Sequence, residues 1–170
     1  MKKLVLILVI LISYSFLESC SKNASTDDLS QSKSIAFQTR TGQYFLKNTY
    51  EVKHRPTFFI INQFAAFENL FGWGATMQQN SSNIIQSADF ESNFVLDIVI
   101  QDSSTIEIAI QKITLKDSVL SVYYTTSQAV PHPSFTSNNH TLATVSKCNY
   151  NIVKFYENNK LIDNPHIEKY

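Results

Sequence analysis

Apolar and polar positions divide the chain into three stretches with different periodicity. Leu4–Ile12 is an unbroken apolar run behind Lys2 and Lys3, and Ser13 and Tyr14 end it. Such a run falls short of the roughly 20 residues a bilayer span needs. A basic start with an apolar core of about 7–15 residues predicts a secretory signal over residues 1–19. Residues 20–38 are mostly Ser, Thr, Asp, Lys, Asn and Gln, with little to bury. This composition predicts a flexible tether ahead of one domain at residues 39–170.

Within the domain the pattern is that of strands. Gln43–Val52 mixes aromatic and polar residues, and Thr57–Ile61 is a compact apolar run after Pro56; both predict strands. Asn62 is placed to cap a short helix, Gln63–Phe71, in which Phe64, Phe67, Leu70 and Phe71 fall at helical spacing. Gly72 follows where a left-handed residue would stop that helix. Residues 72–89 read as a long polar loop, of the kind that is uncommon unless it binds something.

Phe94–Ile100 is apolar on both alternating faces except at Asp97, which predicts a central strand covered on two sides. Thr105–Lys116 alternates through Ile106, Ile108 and Ile110, then changes phase to Ile113 and Leu115, the signature of a β-bulge. A turn at Lys116-Asp117-Ser118 joins it to Val119–Thr126 as a hairpin. Ser127–Asn139 reads as a second long loop, Thr141–Ser146 and Asn151–Tyr156 as strands, Leu161-Ile162 as a last short run, and the tail from Asp163 as frayed. The expected fold is β-rich α+β: a mostly antiparallel sheet or sandwich with one short helix after the second strand.

Composition narrows the function. Without residues 1–19 the chain keeps 151 residues, with twelve Lys and Arg against thirteen Asp and Glu. A near-neutral chain lacks the basic face that nucleic acid or an anionic lipid surface demands. Three glycines, Gly42, Gly72 and Gly74, cannot build a phosphate-cradling loop. Tyr and Phe together number twenty, which again favours half-buried strands.

Leu17-Glu18-Ser19-Cys20 resembles a bacterial lipobox of the looser kind found in Bacteroidetes lipoproteins, with Cys20 the residue to be lipidated. The resemblance implies a protein held at the cell envelope by acyl chains, on the periplasmic or surface side of the outer membrane. Asp27 and Asp28 just beyond Cys20 resemble the acidic export signals of some Bacteroidetes surface lipoproteins, solvated linker charges being the simpler reading. Asp117-Ser118-Val119 matches an O-glycosylation acceptor pattern and is equally a hairpin turn. With Cys20 acylated, Cys148 alone remains, and one thiol builds no disulfide framework.

Catalytic chemistry needs a nucleophile with a base, paired carboxylates or a metal cluster. Cys148 with His140 is the one thiol–imidazole combination close in sequence, and a buried structural cysteine is the simpler reading. His132, His140, His54 and Asp89 lack the tight spacing of a zinc site. Asp97, in a strand covered on both faces, needs a partner, and Lys112 or Lys154 on a neighbouring strand is expected to supply it. Asp89 and Glu91 read as loop caps. The chain therefore reads as a non-enzyme without cofactor or metal. The two loops carry the candidate partner-binding residues, Trp73 and Met77 in the first and His132 and Phe135 in the second. The alternative is stacking of these aromatics on a small ligand or glycan.

The order Asn69-Leu70-Phe71, polar loop, Ala88-Asp89-Phe90, Val95-Leu96-Asp97-Ile98-Val99, Ile-rich strand, Leu120-Ser121-Val122-Tyr123-Tyr124, Pro loop and Val153-Lys154-Phe155 resembles the C-terminal domain of the PrcB protease-complex lipoproteins over roughly residues 57–157. Asp102-Ser103-Ser104 stands where that family places a Gly-Gly-Tyr-like turn. The resemblance implies an envelope-anchored, non-catalytic module that assists or stabilises a protein partner, with a protease complex as the candidate.

Overall fold

A computed structural model describes residues 32–40, 44–48, 50–73, 84–131 and 135–170. Two five-stranded sheets face each other. In the first the order is β1 (Lys33–Ser34), β7 (Ser104–Lys116), β8 (Val119–Pro131), β10 (Ile152–Glu157), β11 (Lys160–Leu161). In the second it is β12 (His166–Lys169), β4 (Thr57–Ile61), β6 (Asn93–Asp102), β9 (Ser137–Ser146), β2 (Phe37–Thr39). A small third sheet, β3 (Tyr44–Leu46) with β5 (Phe71–Trp73), accompanies the helices α1 (Phe64–Leu70) and α2 (Asp89–Ser92). Pairing is antiparallel except for β10 on β8 and β12 on β4. The β-rich α+β sandwich expected from the sequence is what forms. Among the described residues no helix is long and apolar enough to cross a membrane.

The apolar runs of β4 and β6 follow from their place in the middle layer. Phe58, Ile60, Phe94, Leu96, Ile98 and Ile100 point into the core between the large sheets, where they meet Ile110, Ile113, Leu120, Val122, Tyr124 and Phe155. Phe59, Ile61, Val95 and Val99 point the other way, into a second core with Tyr44, Leu46, Phe67, Leu70, Phe71 and Ile85. A strand buried on both faces has no place for the usual polar alternation. Phe58 and Phe155 stack at 3.6 Å between ring centroids across the first core.

The phase change in β7 is a bulge between Ile110 and Lys112, which keeps Ile108, Ile110 and Ile113 all on the core side. At its end Asp117 and Ser118 have φ of 50° and 60°, the left-handed pair that a two-residue hairpin requires. Where the sandwich turns a corner, Asn139 stands in for a ladder rung. Its Oδ1 accepts from the Ile106 N–H at 3.0 Å, and its Nδ2 donates to the Ser104 carbonyl at 3.0 Å.

Five expectations are corrected. Residues 33–38, expected to be tether, belong to the sandwich: β1 pairs with β7 and β2 with β9, and Ile35 between them is buried. The segment 127–139 is not all loop, since β8 runs to Pro131 and β9 starts at Ser137. The tail after Asp163 does not fray, because β12 lies along β4 and the Tyr170 N–H donates to the Ile60 carbonyl. Gln63 takes the helix N-cap position without a side-chain bond, while Asn62 donates to the Tyr170 carbonyl. Gly72 is no left-handed stop: the chain passes from α1 directly into β5.

Candidate binding cleft

The small sheet forms a lid over the second core and holds Trp73. In its register Tyr44 faces Trp73, Phe45 faces Gly72 and Leu46 faces Phe71. Leu46 and Phe71 are buried beneath the lid, and the Phe45 ring lies over Gly72. A Cβ at Gly72 would sit 2.5 Å from Cζ of Phe45, so close ring-on-backbone packing is what glycine serves there. α1 runs into β5 with no linker, and the Lys47 N–H donates to the Leu70 carbonyl at 2.9 Å.

Beside the lid lies a cleft of about 510 Å³, walled by Tyr44, Phe64, Phe67, Phe71, Trp73 and Ile85, with Lys47 and Glu68 as its charged residues. That volume lies in the range typical of ligand sites, about 300–1,000 Å³. Trp73 is 49% exposed, and its ring lies 5.0 Å from that of Tyr44. The Tyr44 hydroxyl accepts from the Ile85 N–H at 2.7 Å, which fixes the far wall. Burial raises the Tyr44 phenol above its ordinary range, and the Ile85 bond opposes this. The large aromatic that the sequence singled out thus borders a concave aromatic surface.

Under the cleft floor lies a buried pair. Asp97 on β6 is 0% exposed, and its Oδ1 lies 3.1 Å from Nδ1 of His140 on β9. His140 Nε2 lies 2.9 Å from the Tyr44 carbonyl, and Phe71 stacks over the imidazole. Burial raises Asp97 out of the usual carboxylate range, with His140 opposing. Burial acts to lower His140, but the Asp97 charge and the bonds to Asp97 and Tyr44 outweigh it, so His140 is raised. The partner of Asp97 is therefore His140, correcting the expectation of Lys112 or Lys154. Those lysines belong to the other large sheet, where Lys112 sits 4.4 Å over the Tyr123 ring.

The remaining candidates are dispersed. Phe135 is 57% exposed just ahead of β9 and does not line the cleft. Met77, His132 and Cys20 lie outside the described residues. Cys148 packs against the core between the sheets, whereas His140 is committed to Asp97 and Tyr44, so the two form no thiol–imidazole pair. Asp89 caps its loop, accepting from the Gln86 N–H at 2.8 Å. Among the described residues no three His, Cys, Asp or Glu could hold a metal ion. At the edge of the second sheet, the tilted rings of His54 and His166 lie 3.9 Å apart, and Glu168 accepts from the Tyr50 hydroxyl at 3.1 Å and lies 2.7 Å from His166 Nε2. Burial, then the Glu168 bond, pushes Tyr50 up to about 12, while the His166 bond holds Glu168 below the carboxylate range.

Sequence reasoning missed the cleft walls and the buried pair. Tyr44 and Leu46 two apart, and Phe71 and Trp73 two apart, were the available signal for two short strands sharing a face. Comparison with known proteins adds no relative: no family model, curated protein or solved structure matches the chain.

Proposed function

We propose that this chain is an envelope lipoprotein, anchored through lipid on Cys20, whose domain acts as a non-catalytic module holding a protein partner at the aromatic cleft beside Trp73. The observation that carries the reading is a half-exposed tryptophan at the rim of a cleft walled by four further aromatic rings. Aromatic anchors of this kind dominate interface energies once a partner buries them. The walls come from a helix, a two-stranded sheet and the Tyr44–Ile85 bond, so the surface is held before the partner arrives. The PrcB-like order of motifs supports a protease complex as the partner class.

Crosslinked capture from the native envelope, with wild type and Trp73→Ala side by side, tests this. One dominant protein lost in the variant is the expected result, and identical capture by both removes the cleft assignment. The cleft volume also suits a small apolar or sugar ligand. Under that second reading, a glycan or lipid at one hundred times its dissociation constant stabilises the domain by about 2.7 kcal/mol.

A further inference from the structure

The hydrogen-bond partners of His140 tie the lid to a proton. The Tyr44 carbonyl can only accept, so His140 Nε2 carries a hydrogen across the 2.9 Å contact. On the other side of the ring, Nδ1 faces Oδ1 of Asp97 at 3.1 Å. A second proton is needed there, because a bare imidazole nitrogen and a carboxylate oxygen would set two lone pairs against each other in a site without solvent. Among the described residues Asp97 Oδ2 has no hydrogen-bond partner, so His140 and the Ile98 backbone N–H carry the compensation for this carboxylate. One bond joins β9 to β6 and the other joins β9 to β3, the lid strand whose Tyr44 side chain walls the cleft.

We infer that Asp97, His140 and the Tyr44 carbonyl form a proton-dependent latch that holds the β3–β5 lid closed on the middle sheet and releases it as pH rises. With the second proton present, the imidazolium bridges carboxylate and carbonyl. When it leaves, Nε2–H can still serve Tyr44, but Asp97 is left as a buried anion with no cation opposite and only the Ile98 backbone bond to support it. Lifting the lid, which lets water reach the carboxylate, relieves that charge. The sign agrees with linkage: His140 is raised above its ordinary value, so its stabilisation is fully present below about 6.5 and is lost as pH climbs through the folded value. Asp97, also raised, acts in the same direction.

Other titratable groups on the surrounding elements are Tyr44 and Lys47 on the lid side, Arg40 after β2, Tyr50, Glu68 on α1 and Asp89 on α2. Arg40 and Asp89 act on Tyr44, whereas Asp97 and His140 act on each other. The latch stands on this geometry alone, whatever occupies the cleft.

Hydrogen exchange on the full chain between pH 6 and 9, corrected for intrinsic exchange rates, reads the lid directly. The reporters are the amides of Lys47, Ile85 and the β3–β5 ladder, with the β7–β8 hairpin as the reference. Lid protection relative to the hairpin should fall by up to tenfold per pH unit above about 6.5 and level off once the raised folded value is passed. Asp97→Asn should keep the lid closed and flatten that dependence, since a neutral His140 can donate to Tyr44 and accept from the asparagine amide. Flat protection in the wild type, or an undiminished fall in the variant, overturns the latch. Imidazole nitrogen shifts in the wild type decide independently if the variant does not fold. A His140 ring that loses its second proton only above about pH 6.5 supports the latch, and one bare nitrogen already at pH 6 overturns it.

Discussion

Replacing His140 by alanine should cost far more at neutral pH than in mild acid. The variant leaves Asp97 fully buried with no cation opposite, and breaking a buried pair by removing one partner costs roughly 3–5 kcal/mol. The escape route is protonation of Asp97. Holding a proton on a carboxyl of ordinary pKa near 3.9 costs about 4 kcal/mol at pH 7 and about 1.5 kcal/mol at pH 5. Over the same interval the wild type gains at most about 1 kcal/mol, because the unfolded imidazole takes up protons near pH 6.5 and the folded one, raised above that value, takes up fewer. The deficit of His140→Ala should therefore shrink by about 2 kcal/mol between pH 7 and pH 5. Urea unfolding of both proteins at the two pH values measures this directly. An equal deficit at both, or a larger one at pH 5, would mean that Asp97 is not the buried charge its geometry makes it.

Phe58→Ala empties the stack against Phe155 between the two large sheets and should cost about 3–5 kcal/mol in the same urea assay; a cost under about 1 kcal/mol would deny that this stack carries the interface. Asn139→Ala strips the bridge to the Ile106 and Ser104 backbone, so a loss of about 1–3 kcal/mol is expected together with faster exchange of the Ile106 amide. Glu168 has its folded pKa lowered by His166, so its contribution is present above the ordinary glutamate value and is lost as pH falls through the lowered one. Glu168→Gln should accordingly flatten the acid limb of the stability curve, a comparison of melting temperatures from pH 6 down to pH 3 being the check.

How much was legible in the sequence depended on whether side chains or backbone decided the element. β4 over Thr57–Ile61, the two-sided burial of β6 and the bulge after Ile110 all leave a mark in the order of apolar residues, and each forms where that order puts it. β1, β2 and β12 are held largely by ladder bonds to a neighbouring strand, which Lys33-Ser34, Phe37–Thr39 and His166–Lys169 can make with few apolar side chains. Such strands resemble linker in composition. Gly72 misled for a related reason, since a glycine after a helical run suggests a stop while the cause here is the Phe45 ring packed on it. The pairing of Asp97 with His140 spans 43 residues and exists because β6 and β9 run antiparallel. Lys112 and Lys154 lie on strands of the other large sheet, which the sequence order of apolar runs does not reveal.

Trp73 is the sole tryptophan of the chain, so its fluorescence reports on the cleft without labelling. The decisive measurement is acrylamide quenching of Trp73 emission, with and without the protein recovered by crosslinked capture. Half-exposed in the free domain, the ring should be readily quenched, and binding should shift its emission to shorter wavelength and protect it. A partner that binds while emission and quenching stay unchanged would place the interface elsewhere and contradict the account.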